Sequence, residues 1–278
     1  MGGGGAQPNI SKEKIISTLI PVPPIAEQNR IADEIERLIT YIEAIELNQG
    51  RLEQSLKLCK ERILDMALSG KLIPQDQDDE PAIELLRKIN QSFTPADNRH
   101  YENVPKGWCF AKIKDIFIIN PKNKANDYDM AGFVSMSMIN EGYVDSYQYE
   151  TREWSSIKAG FTHFQDGDIA VAKISPCLEN RKSMILKGLP NGIGAGTTEL
   201  HVFRSSIVDA RYALYFFKSD YFIAQCIGTF NGVVGQQRVG KSVIEDIVFP
   251  LPPLEEQRRI ACTISVIFKH LDDILSEL

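Results

Sequence analysis

From Ile31 onward, apolar residues recur in alternating steps of four and three. The stripe runs through Ile31, Ile35, Leu38, Ile42, Ile45, Leu52, Leu56 and Ile63, with Gln49, Cys59 and Met66 at the remaining positions. Two apolar positions in seven are too few to cover a globular core, and they suit a helix–helix seam. The same register returns near the end of the chain at Ile260, Ile264, Ile267, Leu271, Ile274 and Leu278. The spacing predicts one helix from about residue 26 to Leu68, stopped by Ser69-Gly70, and a second from about residue 254 onward. At about 1.5 Å per residue the first would be on the order of 60 Å long. Gln49 is the one polar seam position and would set register at some cost in stability.

Each stripe is introduced by nearly the same words. Residues 21–32 read PVPPIAEQNRIA and residues 250–261 read PLPPLEEQRRIA, an offset of 229. At that offset Gln7 meets Gln236, Lys12 meets Lys241 and Ile15 meets Ile244. The paired prolines cannot sit inside a helix but suit its start. Glu27 and Glu255-Glu256 then place negative charge in the first turn, where the helix dipole favours it. Gly2–Gly5 fall where Asn231–Val234 lie in the second copy, so the chain is expected to open in the last residues of a domain it does not contain.

Between the helices the pattern changes. KLIPQDQDDEPAIELLRKI reads as an acidic loop and a short helix begun by Pro81, and residues 91–107 read as a polar linker. From Trp108 onward, short β-like runs such as FVSMSMI, DIAVAKI, SMILKGL, ELHVFR and DIVFPLP alternate with turns. One helix, about 209–226, interrupts them, and its aromatic residues Tyr212–Phe222 fit a buried face. The expected fold class is α+β: a mixed globular domain flanked by two long helices that form an antiparallel coiled coil. The expected segments are 1–24 (tail of an absent or partner domain), 25–90 (long helical region), 91–253 (globular domain) and 254–278 (second long helix).

The composition, 43% hydrophobic and 24% charged, is that of a water-soluble globular protein. No apolar run reaches the roughly 18 residues of a membrane span, and the start lacks the pattern of a signal peptide. Five scattered cysteines with no C-x-x-C pair suggest reduced thiols in a cytoplasm. The net charge is −6. Residues 101–254 carry 16 basic and 16 acidic side chains, so the whole excess lies in the flanks. Any contact with nucleic acid must come from a local patch of the middle segment.

The order of elements resembles the specificity subunit of type I restriction–modification systems. The resemblance rests on P-x-P-P-[IL]-x-E-Q before each helix, LDMALSGKLIPQDQDDEPAIELL after the first helix and VPKGW opening the domain. Within the domain it rests on GDIAVAKISPCLENRKSMI and GIGAGTTELHVFR, with GQQRV leading to PLPPLEEQRRI at its close. Together these strings span most of residues 6–275. The resemblance implies a non-catalytic subunit in which each target-recognition domain reads one half of a bipartite site in double-stranded DNA. Its helices would act as a ruler and dock methyltransferase subunits. Those subunits use S-adenosylmethionine, and a motor–nuclease subunit joins indirectly. This chain shows one recognition domain with both helical regions, so the resemblance is to a half-subunit, and two copies would pair their seams as a homodimer.

Reading DNA needs phosphate donors and two-point contacts to base edges. The candidates are Lys122, Asn123 and Lys124 in one turn; Asn180, Arg181 and Lys182, with Glu179, in a second; Thr197 and Thr198 after a Gly192–Gly196 loop; Gln236, Gln237, Arg238 and Lys241; and Arg152 and Lys173. The bland reading of each cluster is a solvated turn. Enzymatic patterns fail: Asn120-Pro121-Lys122-Asn123 lacks the second proline and the aromatic residue of an adenine-methyltransferase loop. GIGAG is neither a dinucleotide fingerprint nor a P-loop. Val171 stands where a metal nuclease would want a carboxylate before Lys173, and His100, His163, His201 and His270 lack metal-ligand spacing. No catalytic residue, metal or cofactor is expected in the chain itself. The rival reading is a coiled-coil adaptor whose middle domain binds protein.

Overall fold

The computed structural model describes residues 11–97, 100–101, 103–229 and 237–277. The chain divides into two compact units, residues 1–55 and 56–278. The division falls inside the first long helix.

In the first unit, Ser11 caps the short helix α1 (Lys12–Ile16) through its Oγ. An extended segment follows, and α2 (Ile25–Leu68) begins directly after Pro24. The Pro24 carbonyl accepts the amides of Glu27 and Gln28, and the Gln28 side chain donates to the Pro23 carbonyl at 2.7 Å. No described residue from 11 to 55 is buried.

The second unit holds the last turns of α2 and everything after it. The helix ends in a Schellman motif: the Lys71 amide reaches the Met66 carbonyl at 2.8 Å and the Gly70 amide reaches Ala67. Gly70 sits at φ 72°, a conformation that glycine adopts without penalty. Then come α3 (Ala82–Ile89), β1 (Cys109–Lys112), α4 (Ile113–Ile116), β2 (Ile118–Ile119), β3 (Met130–Val134), β4 (Glu150–Glu153), α5 (Trp154–Ile157), β5 (Thr162–Gln165) and β6 (Ile169–Ala172). They are followed by β7 (Ser183–Ile185), β8 (Ile193–Gly196), β9 (Leu200–Arg204), α6 (Ala210–Phe217), α7 (Asp220–Ile227), α8 (Lys241–Asp246), β10 (Val248–Leu251) and α9 (Leu254–Ser276). The mixture is the α+β class expected, and among the described residues no helix is long and apolar enough to cross a membrane.

Two four-stranded sheets, ordered β2-β9-β6-β7 and β4-β3-β8-β5, form the domain, with a separate β1-β10 ribbon. Among the described residues, all strand pairs are antiparallel except β3–β8. GIGAG is therefore not a loop: Ile193–Gly196 is a strand, and most of it is buried. A Cβ on Gly194 would lie 2.3 Å from Phe164 and 2.4 Å from the Gly132 carbonyl, so sheet packing alone requires glycine there. The single helix expected over 209–226 is two, α6 and α7. The break comes at Lys218 and Ser219, where the Lys218 ammonium turns inward to the carbonyls of Gly142, Arg181 and Ser183. Tyr212, Phe216, Phe217 and Phe222 are fully buried, as their spacing predicts.

The seam expectation changes at both helices. In α2 the buried residues are Leu56, Lys60, Leu64, Ala67 and Leu68, while Cys59 is exposed and Ile63 is half-buried. The strip follows the natural 3.6-residue turn of a straight helix, not the 3.5 repeat of a supercoil. In α9, Ile260 and Ile264 are buried in the domain's main core, which also holds Leu64, Leu68, Phe216 and Phe249. Ile267 and Leu271 are half-buried and Ile274 is exposed. The last turns of α2 do run antiparallel to α9, since Lys60 binds Asp272 while Gln75, just past α2, binds Glu256. Leu64, Leu68, Ile260 and Ile264 share one core with Tyr212 and Phe216, and Lys60 lies over the Tyr143 ring, so the pairing is part of a globular core rather than a two-helix seam.

Candidate nucleic-acid interface

Strands β3, β6 and β8 finish, and β9 begins, at one end of the domain. The loops they release are laced together through backbone. The Lys173 amide donates to the Glu199 carbonyl at 2.9 Å, and the Val239 amide donates to the Lys173 carbonyl at 3.0 Å. Ser175 donates to the Gln237 carbonyl at 2.9 Å, Ile174 bridges Arg238, and the Thr197 amide reaches the Val134 carbonyl at 3.0 Å. Lys182 Nζ closes the circle on the Met136 carbonyl at 3.3 Å. Segments 173–182, 197–199 and 237–239 thus form one built surface.

Its charges are largely paired. Arg238 meets Glu199 with two parallel bonds, Nε at 2.7 Å and an NH2 group at 2.9 Å, while remaining two-fifths exposed. That fork holds the Glu199 carboxyl below its ordinary range, and the Lys173 charge adds to the effect. Beneath lies His201, buried, with Nε2 donating to the Val239 carbonyl at 3.2 Å and Nδ1 accepting from Asn120 at 3.3 Å. Burial pulls this imidazole down to about 4, and Lys173 and Lys241 push the same way. Ser175 donates to Glu179 at 2.5 Å, and the second Glu179 oxygen is buried with no partner among the described residues. The reading of the sequence missed Glu199 as the holder of Arg238.

Of the predicted residues, Lys173, Thr197, Thr198, Gln237, Arg238 and Lys241 lie on or beside this surface; Gln236 lies outside the described residues. Thr198 is exposed, and Lys241 pairs with Glu245 at 3.4 Å. Asn180, Arg181 and Lys182 belong to the same loop but are spent within the protein. Asn180 binds Glu141 at 3.2 Å. Arg181 reaches the Lys218 carbonyl at 3.0 Å, Glu61 at 3.4 Å and Asp220, with its guanidinium over the Tyr143 ring. Its side chain is one-tenth exposed, so it is a fastening between α2 and the domain rather than a free phosphate donor.

Lys122, Asn123 and Lys124 stand elsewhere. Asn123 accepts from Arg204 at 2.9 Å, and Arg204 closes the opposite end of β9, four residue steps or roughly 13 Å from Leu200. Asn123 also donates to the Phe164 carbonyl at 2.6 Å, so both the oxygen and the nitrogen of its amide are engaged within the protein. Arg152, on the edge strand β4, lies over the Phe133 ring and binds Glu150 at 3.0 Å.

Against this geometry stand the comparisons with known proteins. The sequence profile described as type I restriction modification DNA specificity domain matches residues 2–57 and 105–278. The chain belongs to that specificity family. It is 38% identical over 248 residues to the type I restriction enzyme EcoAI specificity subunit of Escherichia coli, covering 82% of this chain and 42% of the relative. The EcoEI specificity subunit matches to the same extent, and the EcoDI subunit is 22% identical over 98% of this chain and 60% of its own length. The chain therefore spans about half the length of these curated relatives. Among solved structures, one described as showing complex assembly and conformational transition of the type I R-M system aligns with a TM-score of 0.66 at 15% identity, over 99% of this chain and 60% of that one. The HsdS subunit from Thermoanaerobacter tengcongensis aligns at 0.50 and 16% identity, over 99% and 59%. These two likenesses support the fold.

Proposed function

We propose that this member of the specificity family is a non-catalytic reader of double-stranded DNA, acting in the cytoplasm through the loop end of its domain. The observation that carries the reading is the laced surface of Lys173, Thr198, Glu199, Gln237 and Arg238. There a guanidinium that is two-fifths exposed is oriented by a carboxylate, next to the exposed Thr198. Domain charge is balanced, so specificity rests on such placed groups more than on bulk attraction. One domain reads one half of a split target. The exposed long helix serves as docking surface for methyltransferase subunits, which bring S-adenosylmethionine, while the motor–nuclease subunit associates indirectly.

Leu38, Ile42 and Ile45 remain about half exposed or more on the first unit, which supports self-association of two copies along this part of α2. Leu38→Glu with Ile42→Glu abolishes that association in analytical ultracentrifugation; a dimer that survives both substitutions refutes the seam. The DNA reading is tested by binding selection from a random duplex library with the methyltransferase partner present. Enrichment of a split motif supports it. No enrichment at any salt concentration refutes it and favours the adaptor reading.

A further inference from the structure

The turn that opens with Asn120-Pro121 is far in sequence from the laced surface, yet its first residue is bonded to it. Asn120 follows β2 at φ 56°, a left-handed conformation that asparagine tolerates better than most residues. Its backbone N–H donates to the Val202 carbonyl at 2.7 Å, and its side-chain Oδ1 accepts the Val202 N–H at 2.9 Å. An N–H can only donate, so the carboxamide has one orientation, with Oδ1 on Val202 and Nδ2 turned to His201.

That orientation decides the histidine. Nδ2 carries hydrogens and cannot accept, so the Nδ1 of His201, 3.3 Å away, is bare and the ring proton sits on Nε2. Nε2 donates to the Val239 carbonyl at 3.2 Å, a group that can only accept. Both ends of this chain of bonds demand the same neutral tautomer. The charges that bear on the ring, Lys173 and Lys241, favour the neutral form as well.

Val239 closes the segment that carries Gln237 and Arg238. On its other side the segment is bonded to the loop after β6: Ser175 N–H donates to the Gln237 carbonyl at 2.9 Å, and Val239 N–H to the Lys173 carbonyl at 3.0 Å. Arg238 lies between these two bonds, with its fork on Glu199. Glu199 thus holds the Arg238 side chain, and His201, two residues further along, holds the backbone beside it. A histidine that merely satisfies a core could end its bonds on any carbonyl of the sheet; this one ends them one peptide from Arg238.

We infer that Asn120 and His201 are positioning residues for the reading surface, setting from beneath the height at which segment 237–239 presents Gln237 and Arg238 to DNA. The consequence for sequence preference rests on the proposed DNA reading, while the mechanism rests on the chain of hydrogen bonds.

Two measurements on the full chain test it. The first is the binding selection from the random duplex library with the methyltransferase partner present. Gln237→Ala with Arg238→Ala identifies the motif positions that the segment reads; if that pair leaves the motif unchanged, the inference falls. His201→Leu lowers base preference about tenfold at those positions and leaves the others unchanged. His201→Gln, whose carboxamide can accept from Asn120 and donate to Val239, restores it to within about twofold. An equal loss at every position, no rescue by glutamine, or a His201→Leu motif identical to the parent's overturns the inference. The second measurement needs no DNA. Nitrogen NMR of the His201 ring shows the Nε2–H tautomer, and His201→Leu speeds exchange of the Ser175 and Val239 amides about tenfold while the Thr197 amide keeps the parent rate. An Nδ1–H ring, or unchanged exchange at Ser175 and Val239, overturns it. If the parent enriches no motif, the DNA reading falls and the second measurement alone decides the positioning. If His201→Leu does not fold, Asn120→Gly, which suits φ 56° and removes the tether while leaving the imidazole, takes its place in both.

Discussion

The loop end of the globular domain and the Pro121–Lys124 turn are built on one plan and end differently. Each sets basic residues over a buried histidine that burial holds below its ordinary range: Lys173 and Lys241 over His201, Lys122 over His163. In the turn, the polar side chain at the centre is consumed: the Asn123 amide is divided between Arg204 and Phe164, and its backbone N–H serves His163 at 3.2 Å. In the loop end, the Arg238 side chain stays two-fifths exposed beside Glu199, and Thr198 faces water. Basic composition is the same signal in both places. What separates a reading surface from a fastening is where the hydrogen-bonding capacity has already gone.

The comparison can be broken most severely at Arg181. It sits in the loop of the first cluster but behaves like the residues of the second. Arg181→Ala leaves Glu61 and the Lys218 carbonyl without their partner, and a loss of about 3 kcal/mol in urea unfolding is expected. A variant with unchanged stability and weakened DNA binding would return Arg181 to the reading set.

Acid should act on the histidines beneath both clusters. His201 is neutral when folded, so between about pH 6.5 and 4 the unfolded chain binds a proton that the folded chain does not. Its contribution is fully present above about 6.5 and is lost as pH falls toward 4, worth about 3 kcal/mol over that window. His163 acts with the same sign. His201→Gln flattens the decline in chemical denaturation measured from pH 7 to pH 4.5; an unchanged decline contradicts the buried neutral imidazole.

Asn123→Ala removes the bonds that hold the turn and should cost about 2 kcal/mol. Its effect on DNA affinity, scored on the folded fraction, should be within about twofold. The smallest change in stability belongs to Lys173→Ala with Thr198→Ala, within about 0.5 kcal/mol. In a binding titration this pair lowers affinity roughly tenfold and reduces the salt slope by about 0.9, whereas Lys122→Ala with Lys124→Ala leaves both nearly unchanged.

Much of the fold was legible because it is written in period and punctuation. Pro23-Pro24 and Pro252-Pro253 mark both helix starts, and Ser69-Gly70 marks the stop, since proline and glycine restrict backbone locally. The helix partner was not legible. A 4-3 stripe at Ile260 and Ile264 looks the same whether another helix or a domain core covers it. The break at Lys218 was hidden because three distant carbonyls hold that side chain, its burial drawing the ammonium down to about 7. GIGAG read as a loop because glycine permits turns, yet here it permits close packing on Phe164. At the interface, Lys173, Glu179 and Arg238 were visible as charges, while Glu199 was not, because the arginine it holds lies 39 residues further along the chain.

The most direct test is hydrogen exchange on the full chain with and without the duplex enriched from the random library. Slowed exchange at residues 173–182 and 197–199, with none at 121–124, is the predicted result. Protection confined to 121–124 or to the edge strand 150–153 would contradict the loop end as the surface that meets DNA.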